Sequence, residues 1–151
     1  MDQSKALQRL LDERDIAVLL ATLARILDSR EWSRVPEVVA ADVSFDYTDS
    51  GTDVHGREAL LANFRQFLDV CGPSQHLLGS IIVEVDGDHA LSRSYVQARH
   101  RSKDPADPRL FDSNGEYIDR WERRPEGWRM VHRRAVWASQ SGDPAVIGFA
   151  G

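Results

Sequence analysis

The stretch QHLLGSIIVEVDGDHALSRSYVQARH, residues 75–100, decides how this chain folds. It reads as two long strands reversing at Asp86-Gly87-Asp88, because Asp-Gly readily supplies the positive φ that a tight turn needs. The halves beside the turn are apolar and β-branched at Ile81, Ile82, Val83 and Val85, and each outer end carries a histidine, His76 and His100. Side chains alternate faces along a strand, so the loop length decides whether the histidines meet. A three-residue loop pairs His76 with Ala98 and leaves His100 diagonally adjacent on the same face. A two-residue loop pairs His76 with Arg99 and sends His100 to the other face. The sequence admits both, and the shared face is the working expectation.

At 151 residues the chain fits one domain, 1–151, with room for a sizeable core. An apolar fraction of 42% with 28% charged residues is ordinary for a soluble globular protein. The net charge of −5 argues against nucleic acid as a partner. A single cysteine, Cys71, rules out an internal disulfide and suits a reducing, cytoplasmic compartment. The first fifteen residues read as a polar helix start rather than a secretory leader. The longest apolar run, Ile16 to Leu27, contains Thr22 and Arg25 and is too short for a bilayer.

Working outward, residues 4–29 carry Leu7, Leu10, Leu11, Ile16, Leu19, Leu20, Leu23 and Leu27 at helical spacing. A break is expected over Asp12 to Asp15, with Asp15 capping the second segment. A second stripe, Ala17, Ala21, Ala24 and Asp28, lies within about 60° on the helix. It suits close packing on a sheet or the wall of a cavity. Glu31 to Val39 reads as a short helix interrupted at Pro36, Val43 to Tyr47 as a strand, and Thr48 to Gly56 as a polar loop. Arg57 to Val70 is amphipathic through Leu60, Leu61, Phe64, Phe67 and Leu68, and Gly72-Pro73 stops it. A loop at Ser102 to Pro108 leads to a second hairpin, Leu110 to Arg124 and Gly127 to Gln140. In the tail, 141–151, Val146, Ile147 and Phe149 are apolar beyond a Gly/Pro linker, as a cap over a pocket would be. Helices first and then long antiparallel strands make an α+β pattern, a strongly curved antiparallel sheet enclosing a conical cavity with the helices.

Three segments resemble the SnoaL-like branch of the nuclear-transport-factor-2-like superfamily, nearest to the scytalone dehydratases. They are LDSREWSRVPEVVAADVSFDY (27–47), QHLLGS (75–80) with the arm ending at His100, and GEYIDRWERRPEGWRMVHRR (115–134). Hexachlorocyclohexane dehydrochlorinases and bile-acid 7α-dehydratases look like further relatives, sharing the Asp28/His76 pair. The resemblance implies a cystatin-like α+β barrel, elimination chemistry with no cofactor, and a homo-oligomer, a trimer ahead of a dimer. It implies His76 as general base, Asp28 as its orienting partner, Tyr47 as a carbonyl-polarising hydroxyl, His100 as a second polar contact and Arg133 as a catalytic arginine. The chain departs from its relatives at substrate-facing positions. Leu27 and Leu23 stand where relatives carry a tyrosine or lysine, and Tyr117 where one carries asparagine.

Removing water β to a carbonyl needs a base for the acidic C–H, a donor for the enolate oxygen and an acid for the leaving hydroxide. A histidine serves as base and then acid, and a carboxylate on its other nitrogen fixes the tautomer. A plainer reading stands beside each candidate. His76 suits a hydrogen-bonded core histidine, Asp28 a surface partner of Arg25 or Arg30, Tyr47 a strand aromatic, His100 a strand end, and Arg133 one arginine of a solvated face with Asp119, Glu122 and Glu126. His55, His89 and His132 read as bystanders. No His-x-x-x-His or Cys-x-x-Cys spacing points to a metal, and no glycine-rich loop to a phosphate. The partner this reading implies is a small hydrophobic cyclic substrate, with neither nucleic acid nor membrane. The reaction is a dehydration of a hydroxylated cyclic ketone or phenolic compound, ahead of an isomerisation, a polyketide cyclisation or simple binding.

Overall fold

Asp2 caps the long first helix, its side chain accepting from the Ser4 backbone N–H at 3.0 Å. The computed structural model describes residues 2–149, so the last two residues of the tail lie outside it. Helix α1 runs unbroken over Gln3–Ser29, roughly 40 Å long. The break expected at Asp12 to Asp15 does not occur, and Asp15 caps nothing. Glu13 and Arg14 favour helix, and Asp12 is claimed by the hairpin opposite. Arg123 reaches its carboxylate through both Nη atoms at 2.9 and 2.8 Å, and Trp128 donates Nε1–H at 3.1 Å. Ile16, Leu20, Leu23, Ile26 and Leu27 are buried on the sheet, each contributing about 1.5–3 kcal/mol. Leu7, Leu10 and Leu11, part of the same sequence stripe, stay exposed.

A 3-10 turn at Trp32–Glu37 holds Pro36 and leads into β1, Val39–Asp46. The polar loop contains a two-residue strand β2, Val54–His55, before α2, Arg57–Leu68, which buries Leu60, Phe64 and Leu68. Four long strands follow: β3 Ser74–Asp86, β4 His89–Arg101, β5 Leu110–Arg124 and β6 Gly127–Gly142. The tail ends in a 3-10 turn, Pro144–Ile147, with Val146 and Ile147 buried. The strands form one sheet in the order β2-β1-β6-β5-β4-β3. The expected antiparallel barrel needs two corrections. β1 lies parallel to β6, because the returning arm of the second hairpin settles beside the first strand in the same direction. The sheet also does not close, since β2 and β3 remain edges. Among the described residues no helix is long and apolar enough to cross a membrane.

Curvature comes from extra residues in the ladder. Val131 and Ala138 are the additional residues of β6 where its pairing with β5 shifts. Opposite the second shift Gly115 lets the strands close in, since a Cβ there would lie 2.3 Å from the Val136 carbonyl oxygen. A third bulge decides the site. Asp86 pairs with His89, so the hairpin loop is the two residues Gly87-Asp88 rather than three. That loop alone would oppose His76 to Arg99. Between Ile82↔Arg93 and Gly79↔Tyr95, however, β3 spends one residue more than β4, with Ser80 at φ 47°. The slip brings His76 opposite Ala98 and leaves Val83 and Val85 facing the core as well. Both histidines therefore share the concave face. The expectation holds through a bulge and not through the turn length. The alanine stripe of α1 packs over β3. Ala21, Ala24 and Asp28 border an outer groove with Ser74 to Ile81, while the internal cavity lies on the other side of His76.

Two measurements probe this frame. Asp12→Ala removes the acceptor of Arg123 and Trp128 and should lower unfolding free energy by about 2–3 kcal/mol in a denaturant melt. That is less than for a fully buried pair, because the Arg123 side chain keeps 34% of its surface in solvent. The hydrogen bond from Arg123 leads the interactions that hold the Asp12 carboxyl below its ordinary value. Its stabilisation is then present above pH ~4 and lost as pH falls through the depressed folded value. A loss under about 0.5 kcal/mol at neutral pH would contradict the assignment. Deleting Ser80 should restore the plain two-residue register and turn His76 outward, so its ring loses the carboxylate of Asp28. Histidine-ring NMR of the deletion protein reads this directly, and an unchanged His76 environment would contradict a register set by the bulge.

Candidate active site

The last turn of α1 brings Asp28 against the start of β3. His76 donates its backbone N–H to Asp28 Oδ2 at 2.9 Å and its ring Nδ1–H to Oδ1 at 2.7 Å. Ser74 Oγ adds a third donor to Oδ1 at 3.0 Å. Burial pushes the Asp28 carboxyl up, but the hydrogen bonds from His76 and Ser74 outweigh it and hold the group below the usual carboxylate range. An ionised acceptor on Nδ1 fixes the tautomer, so His76 presents the lone pair of Nε2 to the interior.

His100 meets it on the next strand, the two rings edge to face with centroids 5.8 Å apart. Its Nδ1–H is committed to the Phe111 carbonyl at 3.0 Å, and burial pushes its pKa down. In the neutral state His100 therefore also offers an acceptor, Nε2, and no second donor.

Both rings open on a cavity of about 270 Å³. Its apolar wall is Leu27, Phe64, Phe67, Leu68, Ala98, Trp137, Ile147 and Phe149, and its polar groups are His76, His100, Tyr47, Thr48, Asn63, Ser113, Tyr117 and Gln140. No lysine, arginine, aspartate or glutamate is among these lining residues. Tyr47 sits at the end of β1 in an edge-on cluster with Phe45, Phe64 and Tyr117. Its hydroxyl accepts from Arg133 Nη1 at 3.4 Å, which leaves its own proton to donate. Burial pushes the Tyr47 phenol up, so it remains protonated.

Arg133 does not line the cavity. It lies one layer below, 1% exposed, with Nε and Nη2 forked onto Asp119 at 2.7 and 2.8 Å and its guanidinium carbon 3.9 Å from the centre of the Tyr117 ring. The solvated face read for Arg133 and Asp119 is corrected too, since both are fully buried. Burial opposes charge on both groups and pushes the Asp119 carboxyl up, while attraction to Asp119 and two matched hydrogen bonds hold the Arg133 guanidinium well above its ordinary value. Leu23 is likewise absent from the cavity and packs in the core, because one helical turn before Leu27 faces the far end of the sheet's concave side. Leu27 and Tyr117 do line the cavity. His132 points away and hydrogen-bonds Ser44 at 2.7 Å.

Sequence reasoning missed Asn63, Ser113, Trp137 and Gln140. Ser113 had a signal, since it stands opposite Ala98 once the β4/β5 register is known. Asn63 had none, being one polar residue of an amphipathic helix. Among the described residues no three histidine, cysteine or carboxylate side chains converge as metal ligands.

The profile of the SnoaL-like domain family matches residues 8–134. Rv2910c of Mycobacterium tuberculosis, itself uncharacterised, is 28% identical over 131 residues, covering 81% of this chain and 82% of its own. A Novosphingobium aromaticivorans structure, provisionally assigned as a scytalone dehydratase, superposes with a TM-score of 0.78 at 19% identity, covering 95% of this chain and 97% of that one. A hexachlorocyclohexane dehydrochlorinase, LinA type 2, also gives 0.78, at 18% identity over 97% of both chains. At such identities the structural likeness is one of fold. A nuclear-transport-factor-2-like protein of Salmonella enterica also shares the fold, and because the profile match spans most of the chain the protein belongs to the SnoaL-like domain family.

Proposed function

We propose that the protein is a dehydratase, a carbon–oxygen lyase that removes water from an uncharged hydroxylated cyclic ketone or phenolic compound without a cofactor. The observation that carries this reading is His76, held by Asp28 at Nδ1 with Nε2 facing an apolar cavity that also receives the Tyr47 hydroxyl. His76 Nε2 takes the proton from the carbon beside the carbonyl while Tyr47 donates to the oxygen that becomes an enolate. Arg133, charged and directly behind Tyr47, favours that donation. Collapse of the enolate forms the carbon–carbon double bond and breaks the bond to the hydroxyl at the next carbon. The imidazolium of His76 returns its proton to that hydroxyl, which leaves as water. His100 cannot supply this proton while neutral, because its one N–H is bound to Phe111. Its role is to accept from a substrate hydroxyl.

A lining without charged side chains favours a neutral ligand, and the aromatic wall favours a flat one. The dehydrochlorinase and the provisional scytalone dehydratase share the fold, and both names denote eliminations. In this reading the tail caps the cavity, with Phe149 stacked on Phe67 at 5.1 Å. The chain also assembles with copies of itself, which would cover the exposed Leu7, Leu10, Leu77, Ile82 and Tyr95. An isomerase is the second reading, supported by the same single histidine, whose proton could return to a second carbon instead of a hydroxyl.

The test is a thermal-shift screen of hydroxylated cyclic ketones with mass spectrometry of each mixture, run on wild type and His76→Gln. A ligand at about 100 times its Kd stabilises by roughly 2.7 kcal/mol. A product lighter by one water, lost by about a hundredfold or more in rate in the variant, is the expected result. Turnover at unchanged mass would assign the isomerase, and stabilisation of both proteins with no reaction would leave a binding protein.

A further inference from the structure

We propose that Arg30 and Ser74 are positioning residues for the Asp28–His76 pair, a role that rests on His76 being the base of the proposed reaction. Arg30 ends α1 in the left-handed conformation, φ 60°, where glycine is the usual residue and a side chain is strained. Its side chain explains the choice. The guanidinium donates to the Leu27 carbonyl at 2.7 Å and the Asp28 carbonyl at 3.2 Å, to Leu68 O at 2.8 Å where α2 ends, and to Gly72 O and Ser74 Oγ, both at 2.8 Å, at the entry to β3. It also lies 3.3 Å from Cys71 Sγ, a thiol that burial pushes up and so keeps neutral. Every hydrogen-bond partner is uncharged, and the Asp69 carboxylate is near enough to feel the positive charge that stands just behind the dyad.

The chemistry of the donors then orients the chain of hydrogen bonds. A guanidinium can only donate, so Ser74 Oγ accepts from Arg30 and must send its own hydrogen to Asp28 Oδ1. Asp28 Oδ1 receives Ser74 O–H and His76 Nδ1–H, and Oδ2 receives the His76 backbone N–H. The carboxylate cannot rotate without breaking one of these bonds. The relay also draws negative charge off Asp28. A bare carboxylate on Nδ1 would favour the imidazolium, whereas a base must release its proton again. Ser74 and Arg30 limit that pull and keep the ring available as a base. The other charged and titratable groups facing the dyad are His100 on β4, Tyr117 on β5 and Tyr47 after β1 across the cavity, Arg25 on α1, and the exposed Glu31–Arg34 ion pair beyond the helix.

Arg30→Gln would cut ties among three elements and test the fold as much as the site, so the deciding variant is Ser74→Ala, with Ser74→Thr as the conservative rescue. Ring-nitrogen NMR follows the protonation of His76 against pH in the ligand-free protein. The expected result is a His76 midpoint raised by about half a pH unit, about threefold in the protonation equilibrium, in Ser74→Ala. Ser74→Thr should return it to the wild-type value. The same midpoint in wild type and a folded Ser74→Ala would overturn the proposal. The titration needs no substrate. A shift in a protein that dehydrates no ketone therefore keeps the relay and removes the dehydratase reading.

Discussion

One extra residue in β3 sets the geometry on which the site depends. A strand alternates its side chains, so His76 and Val83, an odd number of positions apart, cannot face the same side of a regular ladder. The core needs Val83 and Val85 beside the long helix, and Asp28 needs His76. The bulge at Ser80 satisfies both demands by slipping the register between them. It is maintained at the price of one residue at positive φ and one missed ladder pair, a small penalty against the burial on either side. The same slip brings the His76 ring edge-on to His100 and its backbone N–H to Asp28.

Around that geometry the charges lie one layer behind the cavity wall. Asp28 stands behind His76, with Ser74 and Arg30 behind it in turn. Arg133 and Asp119 lie beneath Tyr47 and Tyr117. The surface that a ligand touches is neutral, while His76 and Tyr47 on it are each oriented by a charged group they hydrogen-bond. Such an arrangement suits a reaction in which charge appears only in passing, on an enolate oxygen and an imidazole ring. Preformed dipoles in a dry cavity stabilise transient charge more strongly than water does, and need not reorganise when it forms. A neutral, flat ligand enters without having to surrender a hydrated ion.

The outline of this arrangement was legible in the sequence where local chemistry dictates it. Asp86-Gly87 marked the hairpin, the apolar spacing of residues 16–27 marked the buried face of α1, and His76 and His100 on the outer arms of the hairpin marked the cavity they line. What remained hidden depended on distant contacts. The charged run Asp12 to Asp15 looked like a break because nothing local shows that Arg123 and Trp128 will claim Asp12. The loop of the first hairpin is the shorter of the two that the sequence admits. The bulge that compensates is visible only as a change of phase, with Leu78 and then Val83 and Val85 packed against the core. Arg133 looked like a site residue or a surface one. Its burial on Asp119 follows from a strand register that the extra residue Val131 shifts. Asn63 and Gln140 reach the cavity from elements far apart in the chain, so no local pattern could have marked them.

The central claim is that His76 Nε2 removes a proton from carbon, and solvent exchange tests it most directly. The protein is incubated in D2O with a hydroxylated tetralone, and deuterium at the carbon beside the carbonyl is followed by mass spectrometry and NMR. Exchange does not require that water be lost, so the proton-transfer step is read alone. The expected result is exchange catalysed by the wild type and slowed about a hundredfold or more in His76→Gln. Equal exchange by both proteins, at the rate of the free ketone or above it, would contradict the assignment of His76 as the base.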